Sequence, residues 1–79
     1  MPKLTDVIAR NLRGERAKAG LSQEALADAM GWSRQTGGYV EQGRRSLTVD
    51  ELVKLSRVLG IKVLVLLDGA DPADREPFL

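Results

Sequence analysis

The stretch whose reading decides the fold is LSQEALADAMGWSRQTGGYVEQG, residues 21–43. Ser22 is a good N-cap, because a hydroxyl there accepts from a free amide of the first turn, and Glu24 suits the positive end of the helix dipole. The predicted helix runs from Gln23 to Met30. Leu26, Ala29 and Met30 are expected on its buried side, while Ala25, Ala27 and Ala29 permit a neighbour to pack closely. Gly31 ends it. After Trp32, Ser33 is a second N-cap, opening a helix from Arg34 to about Gln42 that Gly43 closes.

Two short helices joined by so tight a Gly-containing turn predict a helix-turn-helix. Upstream, Thr5 or Asp6 can cap a first helix running to about Ala19, with Val7, Ile8 and Leu12 (and Leu4) as its apolar stripe and Gly20 as its stop. Downstream, Arg44, Arg45 and Ser46 form a basic loop. Thr48-Val49-Asp50-Glu51 is a full capping box, in which the Thr48 hydroxyl and the Glu51 carboxylate each satisfy the other residue's amide. The helix it opens reaches Leu59, with Leu52, Leu55 and Leu59 inward, and stops at Gly60. Residues 61–67, IKVLVLL, are rich in β-branched side chains, as a strand would be. A lone strand on a helical chain has no partner within it, so a short fifth helix is the favoured reading. The last ten residues, ADPADREPFL, are polar and read as a loose tail.

The chain has 79 residues, 12 Lys and Arg against 11 Asp and Glu, and neither Cys nor His. That length allows one domain with a small core. Without Cys or His there is no disulfide, no thiolate or imidazole metal ligand, and no Ser–His or Cys–His pair. An enzyme would have to work with carboxylates, Lys, Ser or Tyr. No convergent pair of those stands at motif spacing, and a helical domain this small leaves little room for a pocket. No cofactor is expected. No window is apolar enough for a membrane span, and MPKLTDVIARNLRGERAKAG lacks a signal-peptide core, so a cytoplasmic protein is expected. Charge is unevenly spread. Residues 1–45 hold eight basic and five acidic groups, and residues 46–79 hold four and six. A basic N-terminal half fits a polyanion-facing surface, and equally a solvated face of mixed charge.

Residues 12–60, LRGERAKAGLSQEALADAMGWSRQTGGYVEQGRRSLTVDELVKLSRVLG, resemble the Cro and phage-repressor (XRE-like) family of helix-turn-helix DNA-binding proteins. The resemblance covers 49 of the 79 residues. It rests on an ordered set: Leu-Arg ahead of Gly-Leu-Ser-Gln-Glu, then Leu-Ala, Gly, Ser and Glu-x-Gly. It implies an all-α, four- to five-helix lambda-repressor-like domain over residues 1–69, with residues 70–79 as the tail. It also implies that the third helix enters the major groove of double-stranded DNA. By position, Arg34, Gln35 and Tyr39 would read bases. Arg suits guanine and Gln suits adenine, each through two hydrogen bonds. Thr36, Gln23 and Gln42 would contact phosphates, Gln23 also buttressing Arg34. Arg44 and Arg45 would approach phosphate or the minor groove, or else stay solvated.

Arg16 and Glu41 match a largely buried ion pair of the phage repressors, a structural role. Trp32 stands where a smaller apolar residue is usual and is expected to plug the core over the second and third helices. At Gly37 the family usually has Ile or Val facing the core. The expectation is a hole, filled by Trp32 or leaving the helix loose until DNA orders it. The 43–48 loop is short for the family, which would shorten the arm that meets the DNA backbone. The implied function is a sequence-specific regulator, a repressor above all, acting as a homodimer on a two-fold operator. Small members of the family include phage repressors, restriction–modification controllers and antitoxins. The alternative is an antitoxin-like module whose C-terminal region docks a partner protein such as a toxin.

Overall fold

The first helix of the computed structural model, which describes residues 3–79, is α1, Leu4–Lys18. It is followed by α2, Gln23–Met30; α3, Arg34–Glu41; α4, Val49–Leu59; and α5, Val63–Leu66. A further helical turn, α6, spans Pro72–Arg75 and runs into a 3-10 turn over Glu76–Phe78. No strand occurs among the described residues. The β-branched run at 61–67 is helical because its leucines have a core to reach: Leu66 and Leu67 are fully buried. Segment 70–79, read as a tail, has Ala70 and Phe78 packed against the core.

The caps explain the boundaries. Ser22 Oγ accepts from the Ala25 amide at 3.0 Å and Ser33 Oγ from the Thr36 amide at 3.1 Å. Thr48 and Glu51 form the complete capping box. At the start of α1 neither Thr5 nor Asp6 caps; the boundary residue is Lys3, with no side-chain bond to the helix. Gly31, at φ +74°, takes the left-handed conformation that lets the Trp32 amide donate back to the Ala27 carbonyl at 2.8 Å.

The core is Leu12 from α1, Leu26 from α2, Val40 from α3, Leu55 from α4, and Leu66 and Leu67, with Ile8, Met30 and Leu52 around them. On α2 the buried alanine is Ala27, not Ala29, which is exposed. Helix α2 packs on α3 and α4, and α1 on α3 and α5. Two polar devices fix α1 in place. Asn11 Nδ2 donates to the carbonyls of Leu66 and Asp68, both at 2.8 Å, which ties α1 to the end of α5. At the other seam Arg16 Nε donates to both carboxylate oxygens of Glu41, at 3.1 and 2.9 Å, while Arg13 donates to the Glu41 carbonyl. Arg16 Nη1 also reaches the Leu21 carbonyl at 2.9 Å. Glu41 is 2% exposed, so its charge is tolerated only because it is paired and hydrogen-bonded.

Gly37 faces α2, and no hole lies beside it. A Cβ built there would sit 3.1 Å from the Ala27 Cβ, and no side chain other than Ala27 comes within 4 Å. The space is closed by the near approach of α2 and α3 rather than by Trp32.

Candidate nucleic-acid interface

Helix α3 offers its first turn to solvent because its other face is spent on Gly37, Val40 and Glu41, all buried. Arg34 and Gln35 are exposed, Tyr39 is half-buried, and Thr36 is half-buried with its amide and Oγ1 bonded to Ser33. Gln35 Nε2 donates to Tyr39 Oη at 2.8 Å, one turn along the helix. The Arg44 guanidinium lies over the Tyr39 ring, 4.9 Å from its centre, and its Nη1 lies 3.5 Å from Gln42 Oε1. Gln35, Tyr39, Gln42 and Arg44 therefore form one connected polar strip along α3 and the loop after it.

Arg34 lies outside that strip. The side chain that meets its guanidinium is Glu24 of α2. Gln23, expected as the buttress, lines an open cavity of about 330 Å³ beside them with Ser22, Glu24 and Arg34. The Glu24–Arg34 contact is the main feature of this face that sequence reasoning missed. Its only signal was opposite charge on the first turns of two consecutive helices.

Arg45 differs from Arg44. It donates to both oxygens of Glu51, at 3.1 and 2.9 Å, and its guanidinium lies over the Trp32 ring, 5.7 Å from the centre. Trp32 is half-buried against the core, and its indole N–H donates to Glu51 Oε2 at 3.0 Å. The Glu51 carboxylate thus accepts from Arg45, from Trp32 and from the Thr48 amide at 2.9 Å. The Arg45 hydrogen bonds, helped by those from Thr48 and Trp32 and opposed by burial, hold its pKa down to about 2. Trp32 therefore ties the turn between α2 and α3 to the start of α4, and Arg45 is committed to the same cluster.

Among the described residues no group of His, Cys, Asp and Glu side chains could hold a metal ion, and no helix is long and apolar enough to cross a membrane. A family model described as Helix-turn-helix matches residues 12–66. The chain is 33% identical over 72 residues to an uncharacterized HTH-type transcriptional regulator, y4dJ, from Sinorhizobium fredii, covering 91% of this chain and 90% of that one. It is 36% identical over 64 residues to the control protein C.SmaI of Serratia marcescens, covering 81% and 76%. Its structure matches the restriction-modification controller protein C.AhdI from Aeromonas hydrophila with a TM-score of 0.72 and 35% identity, over 78% of this chain and 94% of that one. With the matched residues running from α1 through α5, the chain belongs to the helix-turn-helix family of transcriptional regulators.

Proposed function

We propose that this chain is a sequence-specific regulator that binds a two-fold DNA operator as a homodimer. The observation that carries the reading is the exposed first turn of α3, where Arg34 and Gln35 stand clear of the core. Arg34, Gln35 and Tyr39 take the base-reading role, which suits a helix lying in the major groove. Gln23, Thr36, Gln42 and Arg44 take phosphates. Arg45, engaged with Glu51, supports the loop and reaches phosphate only by giving up that pair. Similarity to two control proteins favours a controller role, and repression by occupying the operator is the simplest output of DNA binding alone.

The dimer surface is placed on the α5 side. Leu66 and Leu67 belong to the core and are not available to it. Val65 is exposed, and Leu47, Ile61, Val63 and Leu64 are partly buried. Beside them an open groove of about 470 Å³ runs between α1 and α5, its walls including Gly14, Leu64 and Val65 with Arg10, Lys18 and Lys62. A second copy covering this side would bury apolar surface that water otherwise meets.

The test is selection from a pool of random duplexes, followed by sedimentation of the free chain and of its complex. The expected result is one enriched sequence with two-fold symmetry and two chains per duplex. A monomer at high micromolar concentration removes the dimer. A chain that enriches no sequence overturns base reading and brings forward a partner-protein role for the C-terminal region.

A further inference from the structure

Glu24 and Arg34 stand in the first turns of α2 and α3, and their side chains meet beside the cavity that Ser22 and Gln23 also line. The two side chains are 55% and 77% exposed, so burial fixes neither and an incoming ligand can reach both. Glu24 favours the positive end of the α2 dipole, a role that does not require contact with Arg34. Ser22 caps α2 at the Ala25 amide, and the hydrogen bond of the Glu24 carboxylate is to Arg34. A carboxylate on a face that meets a polyanion weakens attraction to phosphate instead of adding to it.

We propose, building on the DNA-binding reading above, that Glu24 is a positioning residue that sets specificity by holding Arg34 away from phosphates. A guanidinium carries five N–H donors, and the bond to Glu24 through Nη2 leaves others free to meet a base edge. Guanine offers two acceptors at fixed places and can use those donors while Glu24 keeps its own. A phosphate of random duplex attracts Arg34 mainly by charge and must compete with a carboxylate already in contact. The penalty therefore falls harder on random DNA than on the operator, which is discrimination against the wrong partner. Because guanine can be met without breaking the pair, the operator complex loses little by it.

The experiment compares the full-length chain with Glu24→Gln, Arg34→Ala and the double variant, by affinity titration at several salt concentrations. The probes are the duplex enriched from a random pool by the parent chain and a scrambled duplex of the same composition. For Glu24→Gln, binding to the scrambled duplex should tighten about two- to fivefold, in line with the worth of an exposed ion pair, and the operator-to-scrambled ratio should fall by a similar factor. The salt slope on scrambled DNA should steepen by about one, the signature of one more phosphate contact. In the Arg34→Ala background both effects should vanish, because Glu24 acts through Arg34. If Arg34→Ala lowers the ratio while Glu24→Gln leaves it unchanged, the role given to Glu24 is wrong and base reading stands. If Glu24→Gln still tightens binding to the scrambled duplex in the Arg34→Ala background, the carboxylate acts as a bare charge and the positioning role is overturned. If Arg34→Ala itself leaves the ratio unchanged, the base-reading assignment fails, and this inference with it.

Discussion

Arg16 of α1 holds both carboxylate oxygens of Glu41 at the last turn of α3, and Glu41 lies almost wholly out of water. Removing Arg16 would leave a buried carboxylate without its cation. Removing Glu41 would strand a guanidinium that is itself largely covered. Arg16→Ala and Glu41→Ala should each lower unfolding free energy by about 3–5 kcal/mol, measured by urea denaturation. A loss below about 0.5 kcal/mol for Glu41→Ala would show the charge to be solvated, as exposed pairs are.

Gly37 lies in close packing against Ala27, not beside a hole. The first added carbon meets Ala27 Cβ at 3.1 Å. Gly37→Val and Gly37→Ile should therefore destabilise, by about 1–3 kcal/mol, even though glycine is a poor helix former. Gly37→Ala sets a propensity gain of about 1 kcal/mol against a single tight contact and should lie within about 1 kcal/mol of the parent. Thermal melts decide the matter. A higher midpoint for Gly37→Val would mean that α2 and α3 can separate freely.

Glu51 makes stability depend on acid. Its pKa is about 2 in the fold and near the ordinary 4.5 in the unfolded chain, so folding favours the charged form. That contribution is complete above about pH 4.5 and is lost as pH falls through about 2. Glu51→Gln should be less stable than the parent at neutral pH, and the gap should close across this window. Trp32 is the sole tryptophan and donates to this carboxylate, so its fluorescence reports the titration directly. Arg45→Ala should move that titration upward.

The two neighbouring arginines should separate in their effects. Arg44→Ala should weaken operator and scrambled duplexes alike and lower the salt slope by about one. Arg45→Ala should act mainly on stability, through Glu51 and Trp32. Arg34→Ala and Gln35→Ala should instead cost about 1–3 kcal/mol on the operator and less on scrambled DNA. Equal losses on both duplexes for Arg34→Ala would count against base reading.

The parts legible in the sequence are those governed by local rules. Ser22, Ser33 and the Thr48–Glu51 box mark their helix starts because a cap is a contact within one turn. Arg16–Glu41 was legible through the resemblance, which carries a tertiary contact that spacing alone does not. The misreadings fall where a distant neighbour decides. Three alternating alanines leave the phase of the short helix α2 open, so the sequence alone points to Ala29 where the fold buries Ala27. Whether Gly37 leaves space depends on how near α2 comes. Glu51 reads as half of a capping box, and its bonds to Trp32 and Arg45 exist only once the chain has folded. The run at 61–67 has strand composition, yet the core that takes Leu66 and Leu67 makes it helical.

Helix α1 borders the groove on the α5 side and holds the end of α3 from behind, so both surfaces proposed for function are bolted to it. Arg13 and Arg16 fasten the end of α3, and Asn11 fastens the end of α5. With a second copy joined through α5, α1 becomes the gauge that sets how far apart two reading helices stand. The spacing between operator half-sites would then be written in a helix that reads no base. Asn11→Ala, selected against the random pool, should return the same half-site with a looser or altered separation. An unchanged, sharply defined separation would place the gauge elsewhere.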